Sequence, residues 1–146
     1  MALQGQVALV TGGSSGIGLA TAEALSARGV KLVLHGRRAD RLEEAAARLP
    51  DCTVRAGDLM AEGEPEAVFD LALATHGRID IVFNNAGLIT GGPIEAIDID
   101  LVCKMVRLNV EIGFRVAYLA MKQFRKAGRG HLVSTSSALG IKSRAL

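Results

Sequence analysis

Five short, nearly uninterrupted apolar runs alternate with amphipathic segments along this chain, and that alternation leaves few folds open. "VALVT" (7–11) and "KLVLHG" (31–36) come first, followed by "CTVRAGD" (52–58), "DIVFNNAG" (80–87) and "GHLVSTSS" (130–137). Runs this short fit strands, and a strand without polar alternation has to be buried on both faces. The segments between them carry helical spacing. In "DRLEEAAARLP" the residues Leu42, Ala45, Ala46 and Leu49 fall at i, i+3, i+4 and i+7, with Asp40 placed as the cap and Pro50 as the stop. "GIGLATAEALSARG" closes on Arg28 and Gly29, and "PEAVFDLALATHG" opens on Pro65 and closes on Gly77. A longer helical region is expected from about Asp100 to Lys126.

Strand and helix in strict alternation predict an α/β fold. It is a doubly wound, Rossmann-type parallel sheet with right-handed crossovers, three layers deep, in one domain over residues 1–146. Ligands of such sheets bind outside the carboxyl ends of the strands, where the Gly-rich and polar insertions of this sequence lie. With 49% hydrophobic and 22% charged residues, the chain has enough apolar surface for a core, which argues against disorder. A net charge of +2, no Trp, a single Tyr and no cluster of Lys and Arg alternating with aromatics argue against a nucleic-acid role. Cys52 and Cys103 lack CxxC spacing and read as reduced thiols. The opening "MALQGQ" has no basic segment followed by a long apolar run, so no secretory signal is expected, and polar residues interrupt every apolar run before membrane-spanning length. A soluble, cytoplasmic protein without membrane contact is expected.

"TGGSSGIG" (11–18) joins the first strand to the first helix. Its spacing is Gly12-x-x-x-Gly16-x-Gly18, with Ile17 between the last two glycines and hydroxyls at Ser14 and Ser15. Glycine permits a tight turn and a close backbone approach, and a helix start offers free N–H groups to an anion. Phosphate binding and a plain tight turn both fit. Leu19 stands where a nucleotide-triphosphatase loop needs Lys.

Taken with "NNAG" (84–87), this octet resembles the short-chain dehydrogenases/reductases, and the likeness runs through the whole chain in order. It takes in the glycine turn, Asp58-Leu59 after the third strand, NNAG, Asn109 in the long helix and Ser137 after the fifth strand. The resemblance implies a nicotinamide dinucleotide cofactor and hydride transfer between it and a carbonyl or secondary alcohol. It also implies that Asp58, with Leu59 beside it, accepts from the adenine amino group. Asn85, Ala86 and Gly87 would let the cofactor ribose lie near the backbone, and Asn84 would tie neighbouring strands. At the end of the second strand Gly36 occupies the place where NAD-using members carry Asp, and Arg37 and Arg38 follow. An acidic residue there repels a 2′-phosphate and Arg attracts one, so NADP(H) is expected over NAD(H). Two arginines that merely solvate a loop are the plainer alternative.

The family's catalytic group is Asn, Ser, Tyr and Lys, and by resemblance Asn109 and Ser137 supply the first two. Asn109 is expected to be a buried polar residue in an apolar helix. Ser137 precedes Gly140 by three residues, and Ser136 is its near competitor. The family's Tyr-x-x-x-Lys would fall beyond Leu146. "YLAMK" (118–122) precedes Ser137, so the order is wrong, and it lies about 13 Å along the helix from Asn109 at helical rise. Tyr118 therefore reads as a core or interface residue. His35, His76 and His131 have no ligand spacing, and no metal is expected. A sheet ending at "HLVS" leaves an apolar edge, so the sequence reads as the cofactor-binding portion of a longer enzyme. The alternative is a non-catalytic nucleotide-binding or interaction module. Apolar residues facing several directions on the long helix, with the resemblance, imply a homodimer or homotetramer.

Overall fold

A computed structural model describes residues 3–137. Gly140, the landmark used to place Ser137, lies outside the described residues. The five expected strands form: β1 (Val7–Thr11), β2 (Lys31–Gly36), β3 (Cys52–Ala56), β4 (Ile81–Asn84) and β5 (His131–Ser134). All pair in parallel, in the order β3-β2-β1-β4-β5. This is the doubly wound Rossmann-type sheet expected from the apolar runs. The strand order reverses between β1 and β4, and the crevice that defines the ligand edge opens there.

Side-chain alternation on the strands divides the core in two. Ala8, Val10, Leu32, Leu34, Ile81 and Phe83 pack on one face, under α1 (Gly16–Ser26) and α2 (Ala39–Ala46). Leu9, Val33 and Val82 face the other way, under α3 (Glu64–His76) and the long helix. Because both faces are covered, the central strands lack polar residues at alternate positions. Leu42, Ala45 and Leu49 are buried as their spacing requires, with Ala46 half-buried. The cap of α2 is Arg38 rather than Asp40, which sits in the first turn, and the helix ends at Ala46, short of Pro50. Pro65 and Gly77 stand where expected, with Gly77 in the left-handed region that glycine adopts without penalty.

The long helix is compound. α4 (Ile99–Val106) starts from Asp98, whose carboxylate accepts from the N–H groups of Asp100 and Leu101. A π-helical segment, Arg107–Ile112, follows, and α5 (Gly113–Ala127) completes it. A wider turn of this kind changes which way the side chains point and frees local carbonyls. One face, Leu108, Ile112, Val116, Ala120 and Phe124, is buried against the sheet. A second stripe points outward: Val106, Val110, Phe114 (74% exposed), Tyr118 (69% exposed) and Met121. Tyr118 is therefore no core residue; it lies on the outer stripe, turned away from the sheet.

Candidate functional site

Two clefts meet at the carboxyl ends of the strands and share Asn85, Ala86 and Gly87. One, of about 540 Å³, runs between the glycine turn, the end of β2 and the Gly57–Leu59 loop. The other, of about 790 Å³, lies between Leu88, the π segment and residues 134–137.

The glycine turn is shaped by contact. Gly12 has φ +67°, and a Cβ on it would lie 3.0 Å from Asn85 Nδ2 and 3.1 Å from Ala86 Cα. A Cβ on Gly18 would collide with the Gly12 carbonyl oxygen. Ser15, the N-cap of α1, has extended backbone and makes no side-chain cap, so the first-turn amides of the helix stay open to an anion. Ser14 is buried, Ser15 half-buried, and Gly16 and Ile17 are exposed at the mouth. Ile17 lines the larger cleft, whereas Gly12, Ser14 and Ser15 line the smaller one.

Of the two arginines, Arg38 reaches the turn. Its Nη2 donates to Ser15 Oγ at 2.8 Å and to Ser14 Oγ at 3.4 Å. Arg37 lines the same cleft and is exposed. Gly36 is buried beneath, with room for a Cβ only 3.2 Å from Ser14 Oγ. The position that carries Asp in NAD-using members of the family is therefore closely packed here.

Asp58 forms a turn: its Oδ1 accepts from Met60 N–H at 2.9 Å, and its carbonyl accepts from Ala61 N–H. It is exposed on the cleft rim, while Leu59 plugs the core at 4% exposure and anchors the loop. Arg107, in the π segment, donates to the Met60 carbonyl.

Residues 84–88 form the joint between the clefts. Asn84 Nδ2 donates to the Gly113 carbonyl at 2.9 Å, so Asn84 ties β4 to the long helix rather than strand to strand. The strand-tying role falls to Asn85. Its Nδ2 donates to the Thr11 and Gly12 carbonyls, and its Oδ1 accepts from Thr135 Oγ1 at 2.8 Å. Thr11 had drawn no functional reading from the sequence. It is buried, and its Oγ1 accepts from the N–H groups of both Asn85 (2.9 Å) and Ala86 (3.0 Å). The polar strand end after an apolar run was its only trace in the sequence.

Asn109 is exposed rather than buried, because the π turn swings it toward the loop after β4. There its amide closes a two-way pair with Leu88: Oδ1 accepts from Leu88 N–H at 2.9 Å and Nδ2 donates to the Leu88 carbonyl at 2.7 Å. Asn109, Ser136 and Ser137 all line the larger cleft, and both serines are exposed there. The structure thus brings the two sequence-predicted catalytic residues to one cavity and most of the cofactor candidates to the cavity beside it, with Ile17 in the first and Gly16 and Gly18 lining neither.

Fold and site together define an α/β domain of the doubly wound class with two adjoining clefts at its ligand edge. The family model for short chain dehydrogenases matches residues 6–146, and the chain belongs to that family. It is 31% identical, over 98% of its length, to an oxidoreductase of Listeria monocytogenes, and spans 59% of that protein. It is 37% identical over 93% of its length to a short-chain dehydrogenase reductase of Arabidopsis thaliana, spanning 50% of it. A crystal structure of NAD+-bound xylitol dehydrogenase superposes with a TM-score of 0.92 at 29% identity, covering 99% of this chain and 57% of that one. The chain thus spans between half and three-fifths of each of these three proteins. Among the described residues no helix is long and apolar enough to cross a membrane, and no three His, Cys, Asp or Glu side chains group to hold a metal. Both cysteines are free thiols, and burial pushes Cys52 up to about 11.

Proposed function

We propose that this chain is the cofactor-binding portion of an NADP(H)-dependent oxidoreductase acting on a carbonyl or secondary alcohol. The observation that carries the reading is Arg38, whose guanidinium is already bonded to both turn hydroxyls at the mouth of an uncapped helix. A diphosphate would sit on the first-turn amides of α1, and a ribose 2′-phosphate would meet Arg38 and Arg37. The fit is supported by Gly12 and Gly18, whose missing Cβ atoms let the turn pack closely against residues 85–86, and by Gly16, beside which space is open. The nicotinamide cofactor supplies or accepts the hydride.

Within the larger cleft, Ser137 would hold the substrate oxygen. Asn109, locked to Leu88, would fix the loop wall and present the π segment to the site. Proton transfer to that oxygen is assigned to the family's Tyr and Lys, which would follow Leu146 in the whole protein. The outer stripe of Val106, Val110 and Phe114 is consistent with a homodimer or homotetramer, and a cytoplasmic location remains part of the reading.

Nicotinamide fluorescence titration of the purified protein tests this. NADPH is expected to saturate with a dissociation constant at least tenfold below that of NADH. Equal affinities, or tighter NADH, would refute the assignment of Arg37 and Arg38. No saturable complex by a folded protein would refute the whole reading.

A further inference from the structure

Behind the wall of the smaller cleft lies a charged cluster, of which His35 alone lines the cleft. Glu64, the first residue of α3, receives three hydrogen bonds. Arg55 Nε donates to its Oε1 at 2.9 Å and Arg55 Nη2 to its Oε2 at 2.7 Å, a bidentate fork. His35 Nε2 bonds the same Oε1 at 3.1 Å. His35 and Arg55 are register partners on β2 and β3, so one carboxylate clamps two strand ends to the start of a helix.

The clamp sits directly under the ligand side. Gly57 follows β3, and a Cβ on it would collide with the Glu64 carboxylate. Gly57 N–H donates to the Gly36 carbonyl at 3.0 Å, and both glycines line the cleft, as does His35. Asp58 is the next residue. Glu64 and Arg55 do not line the cleft, so these two act on a ligand only through His35 and the Gly36–Gly57–Asp58 wall.

His35 is the informative member. It is 1% exposed, and since Nε2 faces a carboxylate, Nε2 carries the proton and Nδ1 is an acceptor. That Nδ1 is buried without a partner among the described residues. Burial lowers the imidazole pKa, with the Glu64 hydrogen bond opposing it, which keeps the ring neutral. An apolar ring would avoid the orphaned nitrogen but would forfeit the Nε2 hydrogen bond to Glu64, so what the histidine contributes here is its place in the clamp.

We propose that His35, Glu64 and Arg55 form a positioning cluster for the adenosine half of the cofactor, holding Gly57 and Asp58 at the spacing from the glycine turn that the adenine and its ribose require. The inference rests on the dinucleotide reading above and adds residues that reading does not use.

Adenosine 2′,5′-bisphosphate isolates that half of the cofactor, and calorimetric titration of the full chain with it provides the test. Glu64→Gln is expected to weaken its binding about tenfold, the equivalent of one lost charge-assisted contact. His35→Phe is expected to weaken it roughly threefold with little change in melting temperature, since it removes a buried unpaired acceptor along with one hydrogen bond to Glu64. NADPH affinity should fall by the same factors. A wild-type chain that binds neither compound overturns the cofactor reading and this inference with it. Wild-type binding with affinities unchanged in His35→Phe overturns the inference alone, as does a loss that only tracks a lowered melting temperature. Should Glu64→Gln not fold, His35→Phe decides.

Discussion

Replacing Arg38 with Ala isolates the choice between phosphorylated and plain cofactor. The guanidinium is exposed, so its attraction to a phosphate acts in high dielectric. Two unit charges at about 4 Å in water interact by about 1 kcal/mol, and a 2′-phosphate dianion doubles that. A hydrogen bond to a charged group contributes about 1.5–3 kcal/mol by itself, so about 2 kcal/mol is a conservative loss. At 1.4 kcal/mol per decade this weakens NADPH roughly thirtyfold. NADH presents no phosphate to Arg38 and should change by less than about threefold, so the cofactor preference itself shifts by about a decade or more. Fluorescence titration of wild type, Arg38→Ala and Arg37→Ala against both cofactors measures this, and the NADPH loss should shrink as salt rises toward 1 M, where the screening length is about 3 Å. The reasoning fails if NADPH weakens less than threefold. It fails equally if both cofactors weaken together, because Arg38 would then only be holding Ser14 and Ser15 in place.

Gly18→Ala should destabilise the chain by about 1–3 kcal/mol and abolish cofactor binding, since the new Cβ overlaps the Gly12 carbonyl and lies 2.7 Å from Asn85 Nδ2; urea unfolding and titration read the two effects. Thr11→Val keeps the shape but leaves the N–H groups of Asn85 and Ala86 without their acceptor, at about 1–3 kcal/mol, and should speed amide exchange at those two residues first. Acid should unfold the protein in two stages. His35 has its pKa lowered by burial, so below about pH 6.5 the unfolded chain takes up a proton that the folded one refuses, and stability falls. Glu64 has its pKa lowered chiefly by the Arg55 hydrogen bond, so its contribution is present above about pH 4.3 and is lost as pH falls further. Urea midpoints across pH 3–8 show both stages, and His35→Phe should erase only the upper one.

The sheet was legible because burial on both faces removes polar alternation from the central strands and leaves short apolar runs such as "VALVT" and "KLVLHG" between helical segments. The glycine turn was legible because a close approach excludes Cβ atoms, leaving Gly12 and Gly18 as its record. What stayed hidden depends on which partner a polar group finds. Asn84 and Asn85 are the same residue type side by side at the end of β4, yet one side chain meets the long helix and the other meets Thr11 on β1 and Thr135 just past β5. No local pattern distinguishes them, because their partners are 29 and 74 residues away. The π segment was hidden for a similar reason. "RLNVEI" has ordinary helical character, and the widened turn is observed together with contacts to Leu88 and from Asn84 that lie far off in sequence.

These long-range ties explain why the two clefts meet at such small residues. Thr11 holds the backbone of Asn85 and Ala86 from β1, Thr135 holds the Asn85 side chain from beyond β5, and Asn109 holds Leu88 from the helix. Residues 85–88 are thereby pinned from three sides without a bulky side chain projecting from Ala86 or Gly87. Gly87 itself has Asn109 Oδ1 at 3.3 Å from where a Cβ would stand, so even one added methyl would press on the pair with Leu88. A ledge both rigid and low is what a flat, polar ligand needs to lie across a topological switch point. Sequence shows the lowness, in Ala86 and Gly87, but the rigidity lives in hydrogen bonds between strands and helix that exist only once the chain has folded.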